Sequence, residues 1–278
     1  MPLSLEDVSC VYSPGTGYAV TALSDVTLTV EVGQTVLVVG ETGSGKSTLL
    51  RLAAGLMKAS AGTATIDGEP LTAKAARGRV GLVFQDAESQ LFADTVRADV
   101  EFGPRNLGAG DEEALKVARD ALQSVGLDPD TYGDRSPFAL SGGEARRAAI
   151  AGVLAMNPRY VLADEPTSGL DASGRRAVRE VLIAACAHAG VVIVTHSPEE
   201  FLDVADAVVI LSGGRCVWSG RTGELLAEPQ VLVRAGLDVP GVLAVQDRLA
   251  SAGVAIVRRS LDPELAAGTI AAAMGGAS

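Results

Sequence analysis

The stretch "TVLVVGETGSGKSTLLRLAAGL", Thr35–Leu56, decides the fold. Its first residues are apolar and rich in valine, the composition of a strand buried on both faces. Gly40–Ser47 then satisfy G-x-x-x-x-G-K-[ST], and apolar residues recur at helical spacing from Ser47 onward. Strand, glycine loop and helix in that order make the pattern a phosphate loop and not a mere glycine turn. A glycine loop lets backbone N–H groups converge on phosphate oxygens, and the helix N-terminus adds positive potential. Lys46 can neutralise β/γ-phosphate charge and Ser47 can reach Mg²⁺. The candidate nucleotide-binding residues here are Gly40, Thr42, Gly43, Ser44, Gly45, Lys46, Ser47 and Thr48.

A phosphate loop needs a carboxylate on its magnesium side. "YVLADEP", Tyr160–Pro166, supplies two at the end of an apolar run. Open sheets bind ligands at that carboxyl edge. Asp164 can hold Mg²⁺ through water, while Glu165 orients or deprotonates the attacking water. "VVIVTHSPEE", Val191–Glu200, ends in the same way, and His196 beside a phosphate loop reads as a γ-phosphate contact.

Further out, "YVLAD", "VVIVT" and "AVVIL" alternate with helix candidates, the pattern of a parallel sheet covered on both faces. "LSLEDVSCVY" and "LSDVTLTVEV" near the start read as strands, as do "TATIDG" and "RVGLVFQ" after the first helix. Residues 95–126 read as helical, and no period of twenty to fifty residues recurs. After Gly220 the chain becomes a run of short helices with an Ala/Gly-rich end.

Composition narrows the function classes. The 278 residues are 47% apolar, enough for a sizeable core, and carry a formal net charge of −11. That charge argues against a nucleic-acid footprint, so no nucleic-acid partner is expected. Cys10, Cys186 and Cys216 are scattered, and read as small core residues of a reducing compartment. No apolar run is long enough for a membrane span, and the first residues lack a targeting pattern.

"LSGGEARRAA", Leu140–Ala149, poses a puzzle. It places a glycine pair at the head of a helix, as phosphate sites do, yet contains no lysine. Ser141 and Glu144 form a capping-box pattern, with Ser141 at the N-cap.

The order "GETGSGKS", "FQ", "LSGGE", "YVLADEP", "SGLD", "VTH" resembles the ATP-binding subunits of ABC transporters, over residues 3 to about 220. The resemblance implies an ABC-type P-loop ATPase fold: a RecA-like parallel core, an antiparallel β subdomain and a helical signature subdomain at about 86–157. It implies a 1–220 ATPase domain and a 221–278 helical extension that helps dimerise. It also implies that Tyr12 stacks on adenine, Gln85 senses Mg²⁺ and the attacking water, and Asp171 faces a partner subunit. Ser141, Gly142 and Gly143 would then close on the nucleotide held by the other subunit, which supplies the missing lysine. Glu144 departs from the family's usual glutamine.

"FQDAESQLFADTVRADVEFGPRNLG", Phe84–Gly108, resembles the energy-coupling factor (ECF) cobalt/vitamin importers, as does "RRAAIAGVLAMNP". The "TGSGKS" loop and "YSPGTGYAVTAL" lean toward the second ATPase type of heterodimeric modules. The implied cofactors are ATP and Mg²⁺. The implied partners are a second ABC ATPase in a homo- or heterodimer, a transmembrane coupling protein and a separate membrane substrate-capture protein, at the cytoplasmic face of the membrane. Asp86, Glu88 and Asp99 over an apolar set of Leu91, Phe92, Val96, Val100 and Phe102 are expected to dock the coupling protein. An ABC ATPase of another importer class, or a soluble one of cofactor assembly, would share every nucleotide motif.

Overall fold

In the computed structural model, which describes residues 1–256 and 259–275, two sheets flank the phosphate-loop helix. The chain opens with β1 (Leu3–Tyr12) and β2 (Val20–Val30), an antiparallel hairpin in which Tyr12 pairs with Val20. β3 (Thr35–Val39) follows, then α1 (Lys46–Ala53), β4 (Ala61–Ile66), β5 (Glu69–Pro70), α2 (Ala73–Ala76) and β6 (Val80–Val83). Helices α3 (Val96–Asn106), α4 (Asp111–Ser124), α5 (Pro129–Tyr132) and α6 (Gly142–Leu154) lead to β7 (Tyr160–Asp164), α7 (Ala172–Ala185) and β8 (Gly190–Thr195). β9 (Ala207–Ser212) and β10 (Arg215–Arg221) finish the sheets, and α8 (Thr222–Ala227), α9 (Gln230–Arg234), α10 (Gly241–Ser251) and α11 (Pro263–Gly275) close the chain.

The order β10-β9-β3-β8-β7-β6 is parallel except at the β10 edge, and β2-β1-β4-β5 is antiparallel throughout. The central strands β3, β7 and β8 are buried at every position because both faces are covered, and their residues are mostly apolar. Leu37, Val39, Val161 and Ile193 share one core with α4, α6 and α7, while Val36, Val38, Leu162 and Val194 share the other with α1 and the antiparallel sheet. Truncating a leucine such as Leu37 in this packing costs about 2–5 kcal/mol. Alternation of side chains thus binds two layers to one strand, and β3 delivers the phosphate loop between them.

Two boundaries differ from the sequence reading. The helix expected from Ser47 through Leu56 stops at Ala53, because Gly55 turns the chain at φ +69. The helical stretch 95–126 is two helices, parted where Gly108 takes φ +101 and Gly110 starts α4. Among the described residues, no helix is long and apolar enough to cross a membrane.

Candidate functional site

Gly45 begins α1 in the left-handed conformation, φ +102, where a Cβ would lie 2.6 Å from the Leu23 side chain and 2.7 Å from the Ala22 carbonyl. Only glycine lets the loop close against β2 there. Gly43, φ +83, has nothing within 4 Å of its Cβ position, so the loop's outer face is bare backbone, open to a phosphate. Lys46 is buried, and its Nζ donates to the carbonyls of Gly40 at 2.7 Å and Glu41 at 2.9 Å. Burial pulls the Lys46 pKa down, against the pull of Glu165 and Asp164.

Asp164 ends β7, buried, opposite the head of α1. Burial pushes its pKa up, opposed by a hydrogen bond from Ser47 and by the charge of Lys46. Glu165 steps off the strand at φ +46, with its N–H donating to the Val194 carbonyl at 2.9 Å. Its Oε1 lies 2.9 Å from His196 Nδ1, and its Oε2 accepts from Thr195 Oγ1 at 3.2 Å. Parallel pairing of β7 with β8 puts these two strand ends side by side. Tyr12 reaches the same place from the end of β1, its hydroxyl 3.1 Å from Thr48 Oγ1.

A cleft of about 400 Å³ results, lined by Tyr12, Thr42, Gly43, Gly45, Lys46, Ser47, Thr48, Gln85, Asp164, Glu165 and His196. Gly40 and Ser44 form the loop's floor, where a Cβ on Gly40 would collide with Ser44 Oγ and the Leu211 carbonyl. Val20, Thr21 and Ala22 also line the cleft, and Thr195 and Met57 brace Glu165 and Tyr12. The sequence reading did not include them: the β1–β2 and β7–β8 pairings bring in Val20, Thr21, Ala22 and Thr195, and the loop after α1 brings in Met57. A larger cleft of about 630 Å³ between α4, α6 and α7 is walled mostly by alanine and valine and holds none of the phosphate-loop groups. The smaller one is the functional candidate because its amides, cation and carboxylates converge.

A divalent cation fits this donor set. A hydroxyl (Ser47), a buried carboxylate (Asp164) and an amide oxygen (Gln85) are hard oxygen ligands. Among the described residues no group of three or more His, Cys, Asp and Glu is arranged to hold a metal. Mg²⁺ keeps waters and substrate phosphates as most of its ligands, so one hydroxyl, one carboxylate and one amide oxygen are a set it could use.

Ser141, Gly142, Gly143 and Asp171 lie outside the cleft. Ser141 caps α6, and Glu144 closes the capping box by accepting from the Ser141 N–H and hydroxyl, each at 2.8 Å. The Tyr132 hydroxyl donates to the same carboxylate at 2.8 Å, and these bonds hold the Glu144 pKa down to about 2. The Gly142 Cβ position meets nothing, so the helix start is open to approach. Asp171 caps α7 through Gly174 N–H at 2.7 Å.

In the segment expected to dock a coupling protein, two of the acidic side chains have partners within the chain. Asp99 accepts N–H bonds from Phe92 and Ala93, the latter at 2.9 Å, and Glu88 lies 3.3 Å from Arg146. Both carboxylates are engaged within the chain. Leu91, Val96 and Val100 are buried, leaving Phe92 and Phe102 exposed in edge-to-face contact at 4.8 Å. These two rings, with Leu107, Val153 and Met156, line an apolar groove of about 320 Å³.

The profile of the ABC transporter family matches residues 23–168. The chain belongs to the ABC transporter family. Within it, this ABC ATPase is 45% identical over 263 residues to the energy-coupling factor transporter ATP-binding protein EcfA2 of Symbiobacterium thermophilum, covering 92% of this chain and 91% of the relative. The protein of the same name in Streptococcus pneumoniae is 42% identical over 267 residues, covering 93% and 95%. The solved structure of cbiO1 from Clostridium perfringens, part of the ABC transporter complex cbiONQ, superposes with a TM-score of 0.73 at 31% identity, over 88% of this chain and 98% of that one. The dimeric post-hydrolysis ATP-binding cassette MJ0796 bound to ADP and Pi gives 0.72 at 28% identity, over 80% and 99%. This ABC ATPase is therefore an ATP-binding and ATP-hydrolysing subunit of the energy-coupling factor type.

Proposed function

We propose that this subunit powers a membrane importer for a vitamin or transition-metal ion by closing on ATP against a second ATPase, at the cytoplasmic face. The observation that carries this reading is the pair of separated half-sites. One cleft has a lysine and the Asp164–Glu165 pair, while the capped, open start of α6 has no lysine and lies outside that cleft. A helix start with free N–H groups and no phosphate-loop lysine is suited to a phosphate brought by another chain.

In this reading Tyr12 stacks on adenine, the loop 40–48 cradles the phosphates, and Ser47, Asp164 and Gln85 hold Mg²⁺, partly through water. Bound Mg²⁺ would supply charge neutralisation on the β- and γ-phosphates. Glu165 directs the attacking water, with His196 beside it on the γ-phosphate. Ser141, Gly142 and Gly143 contact the partner's nucleotide, and Asp171 faces the partner subunit. Residues 1–220 form the ATPase domain with a helical subdomain at about 86–157. The extension 221–278, part of which lies outside the described residues, adds to the dimer.

The membrane partners are a coupling protein seated on the Phe92–Phe102 groove and a separate substrate-capture protein. Dock recognition is mainly apolar, because Glu88 and Asp99 are already bonded. The test is purification from membranes with mass spectrometry of co-purifying subunits, and ATPase assays on mixed dimers. Ser141→Arg on one subunit with Lys46→Ala on the other puts both lesions in one site and leaves one site whole, so activity should persist where each uniform variant is dead. If the chain pairs only with a different ATPase, the assay is run on that heterodimer. A soluble chain with no integral-membrane partner would return the reading to a cofactor-assembly ATPase.

A further inference from the structure

Arg146 lies on α6, five residues past Ser141, and is only 4% exposed. Its guanidinium donates to the carbonyls of Gln85 and Ser168, and its Nε lies 3.3 Å from Glu88 Oε2. None of these partners is local in sequence. Gln85 and Glu88 follow β6, and Ser168 sits between Glu165 and Asp171. Burying a guanidinium is costly unless its donors are satisfied, and an apolar side chain would pack α6 at less cost. What the planar fork adds is several acceptors held in one fixed geometry.

We infer that Arg146 is a positioning residue that links the two composite ATP sites of the closed assembly. The inference rests on the reading that Ser141–Gly143 serve the partner's nucleotide. A shift of α6 as it closes on that nucleotide is carried through Arg146 to this chain's own site by two routes. One runs to the Gln85 carbonyl at the rim of the cleft. The other runs to Ser168, whose N–H donates to the Glu165 carbonyl at 3.1 Å, so movement there reaches Glu165 within one turn. The Glu88 contact adds the segment leading to the apolar groove, so the same side chain joins the membrane-facing element to both sites.

The test uses the assembled ATPase pair in its membrane complex, with Arg146→Met and Arg146→Lys in this chain. Steady-state ATP hydrolysis gives kcat and KM, and equilibrium binding of a fluorescent ATP analogue gives Kd. Arg146→Met should lower kcat more than about threefold while Kd stays within about twofold, the mark of an interaction realised in catalysis and not in ground-state binding. Arg146→Lys keeps the charge but bonds from a single point; it should show the same split, and it serves where Arg146→Met does not fold. A kcat within about threefold of the parent in a folded variant, or a loss of kcat matched by an equal loss of affinity, overturns the link. Lys46→Ala and Ser141→Arg controls separate the two failures. If those variants are inactive while the Arg146 variants are normal, only the link falls; if Ser141→Arg is itself fully active, the underlying two-subunit reading falls.

Discussion

His196 Nδ1 lies 2.9 Å from Glu165 Oε1, while Thr195 Oγ1 closes on the other carboxylate oxygen at 3.2 Å. The carboxylate is therefore aimed by the end of β8, at the mouth of the cleft that holds Lys46. On the proposed role, Glu165→Gln keeps the shape and removes the carboxylate that directs the water, so ATP binding should persist while kcat falls about 10²-fold or more. Parallel measurement of nucleotide affinity and phosphate release checks this. Ordinary turnover in Glu165→Gln would mean another group handles the water.

Lys46 is buried, held between two backbone carbonyls of its own loop, and is the lysine that lines the cleft. Lys46→Ala should weaken ATP binding about 10- to 100-fold, the value of one or two charge-assisted hydrogen bonds. Titration calorimetry on the purified chain gives the number directly, and an unchanged Kd would remove Lys46 from the phosphate site.

Glu144 titrates far below its ordinary 4.5, at about 2, because the Ser141 N–H, the Ser141 hydroxyl and the Tyr132 hydroxyl all favour its charged form. A depressed folded pKa contributes stability above the unfolded value and loses it as pH falls through the folded one. Glu144→Gln should therefore lower Tm at pH 6, with the gap between parent and variant closing between about pH 4.5 and pH 2. Thermal melts across that range test it; a gap independent of pH would show that charge plays no part in the cap.

Phe92 and Phe102 are the exposed rings of the α3 groove, whereas Asp99 ties down the turn before α3 through two backbone N–H groups. Phe92→Asp with Phe102→Asp should detach the subunit from its membrane complex and leave ATP binding of the free subunit unchanged. Asp99→Ala should instead lower Tm by about 2–4 °C through lost turn bonds. Co-purification and melting curves separate the two. A complex that survives both phenylalanine changes would place the dock elsewhere.

The sequence by itself determined the nucleotide chemistry and the layer order. The phosphate loop, the Asp164–Glu165 strand end and the capping box of Ser141 and Glu144 are local patterns, each set by residues within one turn or one strand, so their geometry is legible in chain order. The apolar strands likewise announced a sheet covered on both faces.

Tertiary structure alone decided which distant residues share a surface. The pairing of β1 with β2 sets Val20 beside Tyr12, and the pairing of β7 with β8 sets Thr195 and His196 beside Glu165. Packing also reassigned charges that the sequence left as a docking face, giving Asp99 to the backbone amides of Phe92 and Ala93 and Glu88 to Arg146. A side chain's partner depends on which backbone groups folding leaves unpaired nearby, and for Arg146 those groups lie as far as 61 residues away in sequence, beyond the reach of any periodic pattern.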